Sequence, residues 1–252
     1  MRQPAEAQSM PGIVACEALY TLVERFAPDA PVCYLPAELH EFPVNVPLED
    51  EIGRRVQAAI DELDEPGQET IVVSYAMAED TREGLTAEHA SLRCATDADC
   101  TSTVLPNRVG AYGENKAPRT WYLTRGWIDC GVDAYKLYRA YLGDLEGLVA
   151  RFETAAAEHP DLRVGWPDGE RFARAVDRPS PVAADRLDAF FRDVVGYYDR
   201  VVLVDTGDLH PLHHEYAEDV RWFVTRLRAD GDGVELARID AHTDRFEALL
   251  AG

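Results

Sequence analysis

The chain has 252 residues, 46% of them hydrophobic, which suits one large α/β domain or two small ones with a sizeable core. Acidic residues outnumber basic ones 46 to 25, and the resulting formal net charge of −21 argues against nucleic acid and anionic lipid as partners. No apolar run reaches the roughly 18 residues of a membrane-spanning helix, and MRQPAEAQSMPG lacks a signal-peptide core, so a cytoplasmic protein without a membrane partner is expected.

Residues 1–11 read as a loose tail, and Gly12 to Cys16 (GIVAC) as a strand with Cys16 at its carboxyl end. Leu19, Leu22 and Phe26 then fall at helical spacing. Pro31 to Leu35 is a second strand with Cys33 expected in the core, followed by a proline-rich loop that carries His40. From Leu48 to Leu63, Ile52, Val56, Ala59, Ile60 and Leu63 line one face of an amphipathic helix. Thr70 to Tyr75 (TIVVSY) is a continuous apolar strand of the kind buried on both faces of a parallel sheet. Ser91 to Ala95 reads as another strand, with Cys94 also expected in the core.

The segment from Asp97 to Trp127 is the densest in chemistry. It sets Cys100 between Asp97, Asp99 and a hydroxyl run, with the aromatic strand Thr120 to Leu123 close behind. One long helix is expected from about Val132 to His159, with Tyr135, Tyr138, Leu142, Leu145, Leu148, Val149 and Phe152 on its apolar face. A turn-rich stretch over 160–182 is the expected seam. Helix over 183–198, strand over Arg200 to Val204, helix from His210 to Arg228 and strand over Val234 to Ile239 complete the series. Strands alternating with helices predict a layered α/β sandwich, its sheet mostly parallel and covered by helices on both faces, in a single domain over 12–252.

Function in such folds gathers outside the carboxyl ends of strands, where Cys16, Tyr75, Asp99, Cys100 and Asp205 fall. Five cysteines, an odd number with no CxxC pair, suggest reduced thiols rather than a disulfide framework. A helix beginning at Asp99 or Thr101 would favour a Cys100 thiolate through its dipole, although the flanking acids oppose that shift unless a cation is present. A metal resolves the conflict, and Cys16 and His40 would complete a Cys2His set with Cys100, leaving zinc an open position. The plainer alternative is an inert buried Cys16 and a hydrogen-bonded loop histidine. Asp99 is the candidate orienting carboxylate, and Arg119, Arg125 and Tyr75 are candidate contacts for a small-molecule substrate. His210 is expected to cap the helix begun by Pro211, and His214 with Glu218 shares one helix face beside His213, without the HExxH order of a metal helix. GxGxxG, GxxxxGK[ST] and GxSxG are all absent.

The order CEALY, LPAELHEFP, VVSYAMAEDTREGL, DADCTSTVL, PRTWYLTRGWI and VVLVDTG, over about residues 12–207, resembles the family catalogued as domain of unknown function 1638. Genes of that family often stand near corrinoid-dependent methyltransferase genes. The resemblance therefore implies a role in one-carbon metabolism, with the corrinoid on a partner protein. The family's recurrent Cys, His and Asp-Cys positions fall on Cys16, His40, Asp99 and Cys100. The chain departs from the pattern at Ala76-Met77-Ala78, where relatives often carry Gly-x-Cys, at Pro106-Asn107, and at Arg119 and Arg125. Three functional expectations follow: a zinc-dependent enzyme acting on a thiol or methylated substrate, a non-catalytic accessory of a corrinoid methyltransferase system, and a metal-free enzyme using the Cys100 thiol.

Overall fold

Every side chain of β1 (Gly12–Cys16) is buried, the condition of a central strand covered on both faces. The computed structural model describes residues 10–39, 49–96, 99–106, 116–166, 183–228 and 230–251. Within it β1 lies between β2 (Val32–Leu35) and β3 (Thr70–Ser74), and β4 (Ser91–Cys94) pairs with β3. The order β2-β1-β3-β4 is parallel throughout. A second parallel sheet holds β5 (Thr120–Thr124), β6 (Arg200–Asp205) and β7 (Glu235–Asp240), with β6 in the middle.

The expected α/β layering is therefore present, with the described strands divided between two parallel sheets. Alternation along β6 shows how the layers meet. Val202 and Val204 enter the core shared with the first sheet, while Val201 and Leu203 enter a second core built with helices. A turn of 3-10 helix (Glu17–Leu19) leads from β1 into α1 (Tyr20–Phe26), and α2 (Glu49–Leu63) buries Ile52, Val56, Ala59 and Ile60 against the first sheet. The short α3 (Glu79–Glu83) buries nothing. Cys33 and Cys94, expected in the core, are only half-buried.

Two departures from the predicted elements follow β5. A short helix α4 (Arg125–Cys130) follows β5 directly, capped by the Thr124 hydroxyl, which accepts from Trp127 N at 3.2 Å. The helix expected over 132–159 is two, α5 (Ala134–Tyr141) and α6 (Glu146–Glu158). Gly143 breaks it at φ +71°, and the Arg139 guanidinium closes the corner on the Asp144 carbonyl at 2.9 and 3.1 Å. Leu142, expected on the buried face, is consequently 51% exposed.

The helical core is completed by α7 (Leu187–Val195) and α8 (Pro211–Leu227), and Phe246 of α9 (Asp244–Ala251) plugs the first core. The two halves join where Gly126 of α4 meets Ala18: a Cβ on Gly126 would sit 1.9 Å from the Ala18 carbonyl oxygen. That contact sets α4 against the turn just after Cys16. Residues 1–9 of the expected tail, 167–182 of the expected seam, and His40 lie outside the described residues.

Candidate functional site

In the order β2-β1-β3-β4 the chain moves from β1 outward to β2, then returns to β3 on the opposite side of β1. The crevice beyond the carboxyl ends of β1 and β3 is thus the switch point where open α/β sheets bind ligands. Cys16 closes β1 there and is fully buried. Cys100, from the loop after β4, is buried and lies in hydrogen-bonding contact with Cys16. Burial raises the Cys16 pKa well above that of an ordinary thiol, the contact with Cys100 adds to it, and the Ala18 backbone opposes it. Without a metal Cys16 is therefore held as a protonated thiol, and an ion bound there would have to displace its proton.

The loop that leads to His40 is fastened beside the same pair. Ala37 N donates to Glu17 Oε1 at 2.7 Å, and the Tyr75 hydroxyl, just past β3, donates to the Pro36 carbonyl at 3.0 Å. Ala37 and Leu39 are buried in the core that contains Cys16 and Cys100. No group of three or more His, Cys, Asp or Glu side chains is arranged to hold a metal among the described residues, which do not include His40.

The helix start expected at Asp99 or Thr101 is a single 3-10 turn, Ser102–Val104. Three residues carry no appreciable macrodipole, so the expected dipole effect on Cys100 has no source. Asp99 instead accepts from Ser102 N at 2.9 Å through one oxygen and pairs with Lys116 Nζ at 2.7 Å through the other. Cys100, Asp99 and Lys116 border a cavity of ≈ 310 Å³. Rings of Trp121, Tyr122, Trp127 and Tyr198 form much of the described wall.

Arg119 and Arg125 do not line this cavity. Arg119 is half-exposed at φ +54°, donating to the Tyr197 carbonyl at 2.8 Å and facing Asp199 at 3.2 Å. The buried Arg125 guanidinium reaches the Tyr20 hydroxyl at 3.0 Å, the Asp208 carbonyl at 2.7 Å, and both the carbonyl and carboxylate of Asp161 at 2.6 and 3.0 Å. It borders a second crevice at the carboxyl end of β6, with Arg25, Asp161 and Thr206.

Beneath that crevice the buried Asp129 accepts from the Tyr20 hydroxyl at 2.7 Å and meets His213 Nε2 at 2.9 Å. His213 Nδ1 accepts from His210 N at 2.9 Å, so its ring proton lies on Nε2, toward Asp129. His210 caps α8 as expected, its Nδ1 accepting from Leu212 N at 3.2 Å, and its ring lies against His159, centroids 4.4 Å apart and tilted by 56°. His214, read with Glu218 as a possible metal face, is half-buried and outside this network.

The sequence pattern assigns no role to Lys116, Tyr198 or Asp129. The scarcity of lysine was a usable signal for Lys116. Nothing in the pattern joins Tyr198 to Trp121, because contact across β5 and β6 brings them together. The family model described as a protein of unknown function (DUF1638) matches residues 34–249. No curated protein and no solved structure matches the chain.

Proposed function

Because the chain belongs to the DUF1638 family, whose description names no activity, we propose a function from the site itself: a thiol-centred metal-binding protein, with zinc as the ion, acting on a thiol or methylated small molecule. The observation that carries this reading is the meeting of Cys16 and Cys100 at the switch point of the first sheet. Two thiols brought together from the end of β1 and the loop after β4 form a soft donor pair, and the loop leading to His40 is tied beside them. In this reading Cys16, His40 and Cys100 hold the ion, which would supply Lewis acidity at an open position. Asp99 acts beside Cys100, holding its turn through Ser102 N and presenting a carboxylate to the cavity. Trp121, Tyr122 and Tyr198 line the same space and would offer a bound substrate an apolar surface.

The test is elemental analysis of protein purified without an affinity tag, beside Cys16→Ala, His40→Ala and Cys100→Ala. Near-stoichiometric zinc that falls in all three variants supports the reading. Folded wild-type protein purified under zinc-replete conditions that holds no metal, or a Cys100→Ala variant with undiminished metal, overturns it. Attention would then move to Cys100 as a bare thiol, read by selective alkylation, or to a binding role beside a corrinoid protein, read by co-purification.

A further inference from the structure

The cavity beside Cys100 has a composition that selects among ligand classes. Four aromatic residues on its wall would suit any flat or greasy molecule, so the charges decide. Asp99 and the buried Asp133, which accepts from Lys136 N and the Tyr216 hydroxyl, both lie on this wall, and the whole chain carries a net charge of −21, which draws cations toward its clefts and repels anions. The protein also puts a cation of its own here. Lys116 Nζ lies 2.7 Å from Asp99 and 6.0 Å from the centroid of the Tyr122 ring, at the outer limit of a cation–π contact. Trp121 and Tyr198 extend the surface, their ring centroids 5.5 Å apart and tilted by 36°.

Aromatic side chains gathered beside a carboxylate are the arrangement that recognises quaternary ammonium groups. Such cations cannot donate hydrogen bonds, so ring quadrupoles hold them where carbonyls and water hold ordinary ammonium ions. At ≈ 310 Å³ the space admits a small molecule and not merely an ion. Lys116 is about one-third exposed, so it can leave the wall for solvent when another cation arrives.

We propose that this cavity is an onium site: it binds a small quaternary ammonium or sulfonium cation over Trp121, Tyr122 and Tyr198, against Asp99, with Lys116 as the displaceable internal occupant. This rests on the preceding reading only for the location of the site, since Cys100 borders the cavity, and it names the substrate class. The ring wall does not depend on whether the thiols hold a metal.

The experiment is titration of the full chain, under reducing conditions and low salt, with choline and with its uncharged isostere 3,3-dimethylbutan-1-ol. Binding is followed by calorimetry and tryptophan fluorescence. Choline should bind roughly tenfold tighter than the isostere. Trp121→Leu should remove most of that preference while Trp121→Phe retains it, so a folding defect in the first is distinguished by the second. Lys116→Met should tighten choline several-fold by removing the competing cation, and Asp99→Asn should weaken it. Equal affinity for charged and uncharged ligands would reduce the cavity to an apolar cleft and overturn the proposal, as would the absence of saturable choline binding.

Metal analysis of the same wild-type protein separates the two readings. Choline binding by folded, zinc-replete wild type that holds no metal sinks the metal reading alone, and metal-loaded wild type without choline binding sinks the onium site alone.

Discussion

Replacing Lys136 with methionine tests whether the second core encloses a cation. Lys136 is fully buried, its Nζ donating to the carbonyls of Ile128 and Gly131 at 2.7 and 2.5 Å, with the rings of Trp166 and Tyr216 at 4.8 and 5.3 Å. Burial lowers its pKa from 10.5 to about 8, against the pull of Asp133 and Asp129. At 1.36 kcal/mol per pKa unit, that difference corresponds to about 3 kcal/mol by which the fold disfavours the charged form. The sign follows from proton counting. Below about pH 8 both folded and unfolded chains hold the proton, so the contribution is constant. Between about 8 and 10.5 the unfolded chain holds more protons, so Lys136 makes the fold more stable as pH rises. The buried tyrosines and thiols act in the opposite direction at high pH, because Cys16, Cys130 and Tyr216 keep their protons in the fold. The wild-type curve alone is therefore uninformative, and the difference between wild type and Lys136→Met isolates the lysine. The variant also loses two carbonyl partners, which adds a constant offset and leaves the slope untouched. Urea unfolding from pH 7 to 9.5 should show wild type gaining about 2 kcal/mol on the variant across that range. A flat difference would mean that Trp166, Tyr216 and the two carbonyls hold the proton as well as water does, and the desolvation argument would fail.

Two further substitutions probe how the halves are joined. Gly126→Ala puts a methyl 1.9 Å from the Ala18 carbonyl oxygen, so one backbone must move; a loss of about 3 kcal/mol is expected, read as a lowered Tm. An unchanged Tm would show that α4 does not press on the turn after Cys16. Asp129→Asn sets an amide where the Tyr20 hydroxyl, His213 Nε2 and Arg125 all point donors, and should cost about 3 kcal/mol in chemical denaturation. A neutral outcome would place the stabilising contacts of Arg125 on Asp161 and Asp208 instead.

What the sequence made legible follows from which forces act locally. GIVAC, TIVVSY and RVVLV are apolar without alternation because both of their faces are covered, and all three are strands of parallel sheets. The pairing of Cys16 with Cys100 was within reach because a strand-end rule places both near one crevice. The break between α5 and α6 was not legible, because both helices bury residues in one core and the apolar spacing continues across Gly143. The histidines illustrate a one-residue ambiguity: spacing favoured His214 with Glu218, whereas the ring that turns inward is His213, selected by Asp129 on a helix 84 residues earlier in the chain. Arg125, flanking the aromatic strand of an acidic chain, reads either as an anchor for an anionic group or as a structural ion pair. Only the fold shows Asp161, Asp208 and Asp129 converging on it.

The two lysines bear on the site more than their number suggests. All other Lys or Arg positions are arginine, so the coding or surface pressure that favours arginine has spared Lys116 and Lys136 alone. At Lys136 the reason is enclosure: a guanidinium brings five donors and a larger plane into a space that offers two carbonyls. Enclosure cannot be the reason at Lys116, which is partly exposed and faces a carboxylate that arginine would grip more firmly. The difference lies in that grip. A bidentate guanidinium would hold both Asp99 oxygens, pulling one from Ser102 N and keeping the carboxylate from any ligand, whereas an ammonium makes one exchangeable contact. Lys116→Arg should therefore lower choline affinity several-fold at unchanged Tm, measured by the same titration. If arginine binds choline as well as lysine does, Asp99 is not the counter-charge of the site, and the ring wall would have to account for the whole preference.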